Sequence, residues 1–251
     1  MMKFIGIIPS RYESSRFPGK PLADINGKTM INRAYEQATK ALDDVYVATD
    51  DERIADEVKR FGGHFVLTSK NHNSGTDRLA EAIQEIQKQL NTHFDVVINI
   101  QGDEPFIEPS QIKELISCFT DDKTKIATLI KKITDPDDIF NPNKPKVIFN
   151  HKMNAIYFSR SPIPFIRNKE KKDWLKSFDF YRHIGMYAYK TTVLSEITRL
   201  ERSTLEIAES LEQNRWIENG YPIKVSKTNF DSLGIDTPED LKKALAQFKN
   251  I

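Results

Sequence analysis

Hydrophobic residues in the first half of the chain fall in short blocks separated by longer amphipathic stretches. Apolar runs at 4–8, 45–48, 64–67 and 96–100 have the length and β-branched content of buried strands. Between them, residues 30–41, 52–61 and 77–90 carry apolar positions at helical spacing. Strand and helix alternating at this interval predict right-handed βαβ units and a mostly parallel sheet. Local signals agree: Asp50 and Asp51 cap and charge the start of the second helix, and Gly62-Gly63 closes it before the third strand. Pro9 is expected to end the first strand, because proline has no N–H to continue a ladder.

The pattern changes after Asp121. Prolines cluster at Pro136, Pro142 and Pro145, then at Pro162 and Pro164. Strand-like runs at 125–130, 146–149, 155–159 and 184–189 lack full crossover helices, which predicts an antiparallel extension. Helical pattern returns at 191–198 and 204–219, followed by a strand at 223–225 and a final helix from Pro238. Residues 168–176 are highly charged around Trp174 and read as an exposed excursion. The expected class is α/β, a mostly parallel Rossmann-like sheet with a smaller antiparallel lobe. It forms one domain over residues 1–251, with halves at 1–121 and 122–251. There is no internal repeat.

Bulk composition narrows the function. With 37 basic and 36 acidic side chains the formal charge is +1, so nothing drives the whole surface toward nucleic acid or membrane. Any anion site must be local. The single cysteine, Cys118, excludes an intrachain disulfide and reads as core within the apolar segment 112–119. The N-terminal apolar run is too short for a signal sequence or a membrane span, so a cytoplasmic location is expected. G-x-S-x-G, H-E-x-x-H and C-x-x-C are all missing, and nothing points to covalent nucleophilic catalysis.

The loop after the first strand carries Arg11, Arg16 and Lys20, with hydroxyls at Ser10, Ser14 and Ser15. Ligands of open α/β sheets bind at the carboxyl ends of strands, and cations with small polar groups there suit a triphosphate. It is not a P-loop: Pro21 stands where Ser or Thr is needed and Ser14 where Gly is needed. No G-x-G-x-x-G occurs either. Asp103 in Q-G-D-E-P follows the fourth buried strand and a glycine that permits close approach, a placement suited to a divalent cation. Asp236 stands one residue ahead of a strong helix start, Thr237-Pro238-Glu239-Asp240, and reads equally as a second metal ligand or as part of the capping turn. The segment from Asn73 to Arg78 can present small polar groups to a base or ribose, or simply cap a helix. Arg160 can pair a carboxylate bidentately; His183 can hydrogen-bond a sugar hydroxyl or be structural. Glu206, Glu209 and Glu212 lie on adjacent helical turns beside Gln213, a placement as common on a wet face as in a site.

Several motifs together carry a resemblance. R-Y-E-S-S-R-F-P-G-K-P-L, S-G-T-D-R, Q-G-D-E-P, Y-F-S-R-S-P-I-P, R-H-I-G-M-Y-A-Y, L-E-Q-N-R and G-I-D-T-P-E-D-L occur in the order and spacing of the 3-deoxy-manno-octulosonate cytidylyltransferases. The chain resembles that family over essentially its whole length. The resemblance implies a nucleotide-diphospho-sugar transferase fold and a magnesium-dependent reaction of CTP with Kdo (3-deoxy-D-manno-octulosonate), giving CMP-Kdo and diphosphate for lipopolysaccharide synthesis. Carried over by motif, Arg11, Arg16, Lys20 and Asp103 are the catalytic set. Ser10, Arg11, Lys20, Ser74, Gly75, Thr76 and Arg78 would hold the nucleotide, and Asp103 and Asp236 the Mg2+. Gln101, Arg160, His183, Tyr187, Glu212 and Gln213 would line the Kdo pocket. A homodimer is implied, with the second half contributing to its interface. Two positions depart from the family pattern: Ser10 stands where Ala is usual, a change expected to be silent, and Asn214 stands where Leu is usual. The same chemistry on 8-amino-Kdo or a sialic acid remains an alternative, as does a CTP-binding regulator without turnover.

Overall fold

The structure, a computed structural model, describes residues 2–14, 16–72, 74–231 and 234–247. Ser15 and Asn73 lie outside the described residues. The chain forms two compact units, one of Met1–Lys113, Ala188–Thr198 and Ser232–Ile251, the other of Glu114–Tyr187 and Arg199–Asp231.

The first unit begins with β1 (Phe4–Ser10), a short hairpin of β2 (Asp24–Ile25) and β3 (Lys28–Thr29), and α1 (Met30–Thr39). It continues through β4 (Val45–Thr49), α2 (Glu52–Arg60), β5 (His64–Leu67), α3 (Gly75–Leu90) and β6 (Val96–Asn99). β6, β1, β4 and β5 lie side by side in that order, all parallel, as the alternating pattern predicts. Ile5, Ile7, Ile8, Val47, Ala48, Val97 and Ile98 are fully buried, which is why these strands read as continuous apolar runs. Thr29, Asp51 and Ser74 cap α1, α2 and α3 through side-chain oxygens that accept backbone N–H groups. β2 and β3 turn on Asn26 and Gly27, both at positive φ (51° and 81°), the Asn-Gly signature of a tight hairpin.

β1 runs through Pro9 to Ser10 instead of stopping at Ile8. Gly6 N–H donates to Asp44 on the β4 side, and the Ile7 carbonyl accepts from Ile100 on the β6 side. Backbone groups alternate sides, so Pro9 turns toward β6. Pairing with β6 has already ended at Ile7–Asn99, so no N–H is needed there, while Pro9 and Ser10 stay in register with Ala48 and Thr49.

From α4 (Pro109–Ser117) the chain enters the second unit with β7 (Ile126–Lys132), α5 (Pro136–Phe140), β8 (Lys146–Phe149), β9 (Ala155–Ser159), α6 (Trp174–Ser177) and β10 (Tyr181–Lys190). α7 (Thr191–Ile197) belongs to the first unit, α8 (Thr204–Glu209), α9 (Gln213–Glu218) and β11 (Ile223–Lys227) to the second, and α10 (Pro238–Gln247) again to the first. The expected antiparallel extension is present in β8, which pairs β9 and β10, but β11 joins β7 in parallel. The helix expected over 204–219 is two helices. Ser210 takes a left-handed conformation (φ 51°) and ends α8. The charged excursion is pinned at its centre: Trp174 is 3% exposed and packs among Ile133, Ile139 and Phe180. Cys118 is buried as expected, and burial pushes its thiol up. Among the described residues no helix is long and apolar enough to cross a membrane.

Candidate active site

A cavity of about 340 Å³ opens in the first unit at the carboxyl end of β1. It is lined by Ser10, Arg11, Arg16 and Lys20 from β1 and its loop, by Ser74, Gly75 and Arg78 at the start of α3, by Gln101 and Asp103 after β6, and by Asp236. Four chain segments thus bring together most of the residues named for the nucleotide and the metal. The loop is closed by the Gly19 N–H donating to the Tyr12 carbonyl (2.9 Å), with Gly19 at φ 71°. Beneath it Phe17, Ile25, Met30, Phe106, Ile235 and Ala244 pack as one apolar cluster. That cluster ties the loop to the segment that carries Asp236.

Lys20 is the electrostatic centre of the cavity. Its ammonium lies 2.7 Å from Asp103 Oδ2 and 3.2 Å from Asp236 Oδ1, and Arg16 lies 3.2 Å from the same Asp236 oxygen. The two carboxylates are separated by more than half the chain, yet the Ile235 N–H donates to the Asp103 carbonyl (2.9 Å) and holds them together. Asp240 caps α10 reciprocally: its carboxylate accepts from the Thr237 hydroxyl and N–H, and its own N–H donates to Thr237 Oγ1. This leaves the Asp236 carboxylate outside the capping box and facing cations. Among the described residues no group of three or more His, Cys, Asp or Glu that could hold a metal ion is present.

Gly102 has a packing reason beside the expected one. A side chain there would press on Ile8 Cγ2 and the Pro9 carbonyl, both 3.3 Å away. The α3 residues divide by role. Ser74 spends its hydroxyl on the cap, accepting from Asp77 N–H. Arg78 is 4% exposed, pairs Asp50 at 2.7 Å and donates to Thr68 Oγ1, so it is a buttress for the cavity wall. Thr76 is buried and does not line the cavity. The Ser10 hydroxyl is buried with no partner among the described residues.

The remaining named residues lie in the second unit. His183 and Tyr187 share one face of β10 with ring centroids 5.2 Å apart; Tyr187 also meets Trp216 edge-on at 5.2 Å, and His183 meets Phe158 at 5.1 Å. Burial, and then the Glu212 carboxylate, push the Tyr187 phenol well up, so it stays protonated. Burial, and then Arg182, lower His183 to about 3, so it is a neutral imidazole near pH 7. Glu212 accepts from Arg215 (2.6 Å), and the Gln213 side-chain nitrogen is buried with no partner among the described residues. Arg160 donates through its guanidinium to the carbonyls of Glu209, Pro142 and Ser210. Glu209 in turn accepts from Tyr157, Ser159 and the Arg160 amide; these hydrogen bonds outweigh its burial and hold its carboxyl below the usual value.

Sequence reasoning missed His72, which lines the cavity and is paired with Glu81 of α3. Its signal was a histidine two residues ahead of the Ser74 cap, on the same loop as the S-G-T-D-R motif. It also missed Thr128, whose hydroxyl meets the His183 ring.

A family model described as cytidylyltransferase matches residues 5–228. The 3-deoxy-manno-octulosonate cytidylyltransferase of Parabacteroides distasonis is 59% identical over 254 residues, spanning 100% of both chains. That of Bacteroides thetaiotaomicron is 58% identical and spans 99% of each. The solved structure of a CMP:2-keto-3-deoxy-manno-octonic acid synthetase complexed with CTP matches with a TM-score of 0.89 at 39% identity, covering 98% of each chain. A putative glucose-1-phosphate thymidylyltransferase from Bacillus anthracis, at TM-score 0.65, 19% identity and 99% and 96% coverage, shares the fold alone.

Proposed function

The chain belongs to the cytidylyltransferase family, and from that premise we propose how it works and on what. It activates Kdo with CTP, giving CMP-Kdo and diphosphate for lipopolysaccharide synthesis. The reading of its machinery rests above all on one observation: the Lys20 ammonium set between Asp103 and Asp236 in a cavity lined by Arg11 and Arg16.

The anomeric hydroxyl of Kdo attacks the α-phosphorus of CTP in line, and diphosphate leaves. Such transfers depend on positioning and charge neutralisation more than on covalent catalysis. Arg11, Arg16 and Lys20 stabilise the negative charge of the triphosphate and of the departing diphosphate. Ser74 and Gly75 present the start of α3 to the nucleotide, with Arg78 fixing that wall. The donor set at Asp103 and Asp236 fits a magnesium ion, which needs only one or two protein carboxylates when phosphates and water complete its shell. When bound, it supplies further neutralisation of phosphate charge.

On the sugar side Arg160 keeps two of its five N–H donors beyond the three spent on carbonyls, enough for a carboxylate. In the second unit His183, Tyr187, Glu212 and Gln213 take the hydroxyls; the unpartnered Gln213 amide is suited to that task. The enzyme acts in the cytoplasm as a homodimer. Exposed Ile156, Leu205 and Ile207 in the second unit support an interface there. Light scattering then gives twice the 29.0 kDa chain mass.

The test is diphosphate release with magnesium, pairing CTP, UTP, ATP and GTP with Kdo, 8-amino-Kdo and a sialic acid. Release that needs both CTP and Kdo supports the reading. Release with CTP and another acid sugar moves the substrate, and CTP binding without release for any pair overturns the enzymatic reading.

A further inference from the structure

Thr128 lies on β7 with no exposed surface, and its hydroxyl, beside the Tyr187 phenol, meets three further groups of β10. It lies 2.8 Å from the Met186 carbonyl, 3.3 Å from the Ile184 carbonyl and 3.0 Å from His183 Nε2. A hydroxyl carries one proton. Two oxygens 2.8 Å apart need a proton between them, and a carbonyl has none to give. The Thr128 proton is therefore committed to Met186, and toward His183 the hydroxyl can only accept.

We propose that Thr128 is a positioning residue that sets the tautomer of His183, placing the ring proton on Nε2 and leaving Nδ1 as a hydrogen-bond acceptor for a hydroxyl of the acid sugar. The proposal rests on the reading of His183 as a sugar-site residue. In a neutral imidazole one nitrogen donates and the other accepts, and the bond made by one fixes the task of the other. Among the described residues the His183 side chain makes its hydrogen bond to Thr128 alone, so Nδ1 is uncommitted. Phe158 and Tyr187 flank the ring edge-on and tilted, which fixes its plane. Its low basicity keeps Nδ1 unprotonated at working pH. A neutral acceptor also leaves the sugar carboxylate to Arg160.

Nitrogen NMR of 15N-histidine protein separates the two neutral tautomers, and His183→Gln identifies the His183 signals. The wild type is expected to show neutral His183 with the proton on Nε2. Thr128→Val keeps the shape but faces Nε2 with a methyl group. A buried N–H without an acceptor is unfavourable, so the proton moves to Nδ1. KM for Kdo then rises about tenfold, the worth of one hydrogen bond, while KM for CTP stays within twofold. Thr128→Ser restores both the tautomer and the Kdo KM. Wild-type His183 protonated on Nδ1, or an unchanged tautomer in folded Thr128→Val, overturns the proposal. A tautomer shift with unchanged sugar kinetics instead overturns the placement of His183 in the sugar site, and leaves the tautomer assignment standing.

Discussion

Among single residues, Lys20 organises the cavity, because its ammonium pairs Asp103 and Asp236 at once. Arg11, Arg16, Lys20 and Asp103 could be picked out because cations and a carboxylate just past buried strands have few structural uses. Nothing in the sequence told that Lys20 bridges Asp103 and Asp236, since that contact joins positions 216 residues apart. Nor could it tell that Ser74 is spent on a cap and that Arg78 is buried against Asp50. Asp103→Asn removes a charge from the centre of the cavity without touching the core, so the variant should fold with an unchanged melting temperature and lose most turnover. Wild-type turnover in a folded variant would remove Asp103 from the reaction. Lys20→Met leaves two carboxylates without their shared counter-charge. Manganese, read by electron paramagnetic resonance with no nucleotide present, should then bind roughly tenfold more tightly than to the wild type. Equal affinity would show that Lys20 does not hold the metal position.

At the scale of elements, periodicity located strands and helices well and erred where tertiary contacts chose the ends. β1 extends through Pro9 because its neighbour β6 has already stopped. The expected helix over 204–219 breaks at Ser210, where Glu209 turns to receive Tyr157, Ser159 and the Arg160 amide from β9 and beyond. No local signal marks that break. The Asn26-Gly27 turn, by contrast, was written in the sequence as a hairpin signal that the strand pattern around it was too short to support. Asn214 is explained by the same neighbourhood: fully buried on α9, it donates to the Phe158 carbonyl at the end of β9 (3.0 Å). Its side-chain oxygen has no partner among the described residues. Asn214→Leu removes one hydrogen bond and one unpaired acceptor, effects of opposite sign. Denaturant unfolding should therefore move by no more than about 1 kcal/mol.

At the scale of the whole molecule, the α/β class and the parallel sheet followed from alternation alone, whereas the composition of each unit did not. The first unit takes its last helix from the far end of the chain, and it is the Ile235–Asp103 backbone bond that brings Asp236 to the cavity. The folded state as a whole also carries a pH signature. His183 is lowered from 6.5 to about 3, so between those values the unfolded chain binds a proton that the folded chain refuses. Stability from this group is present above pH 6.5 and is lost as the pH falls toward 3, by at most about 2 kcal/mol at pH 5. His183→Gln should lose less stability than the wild type between pH 7 and pH 5; equal losses would contradict the buried neutral ring. Following phosphorus label from CTP reads CMP transfer onto the sugar. With Kdo and magnesium present, phosphorus label in the α position should appear in a Kdo phosphodiester and label in the γ position in diphosphate. Label from the γ position on the sugar, or no α label in any sugar product, would contradict the account.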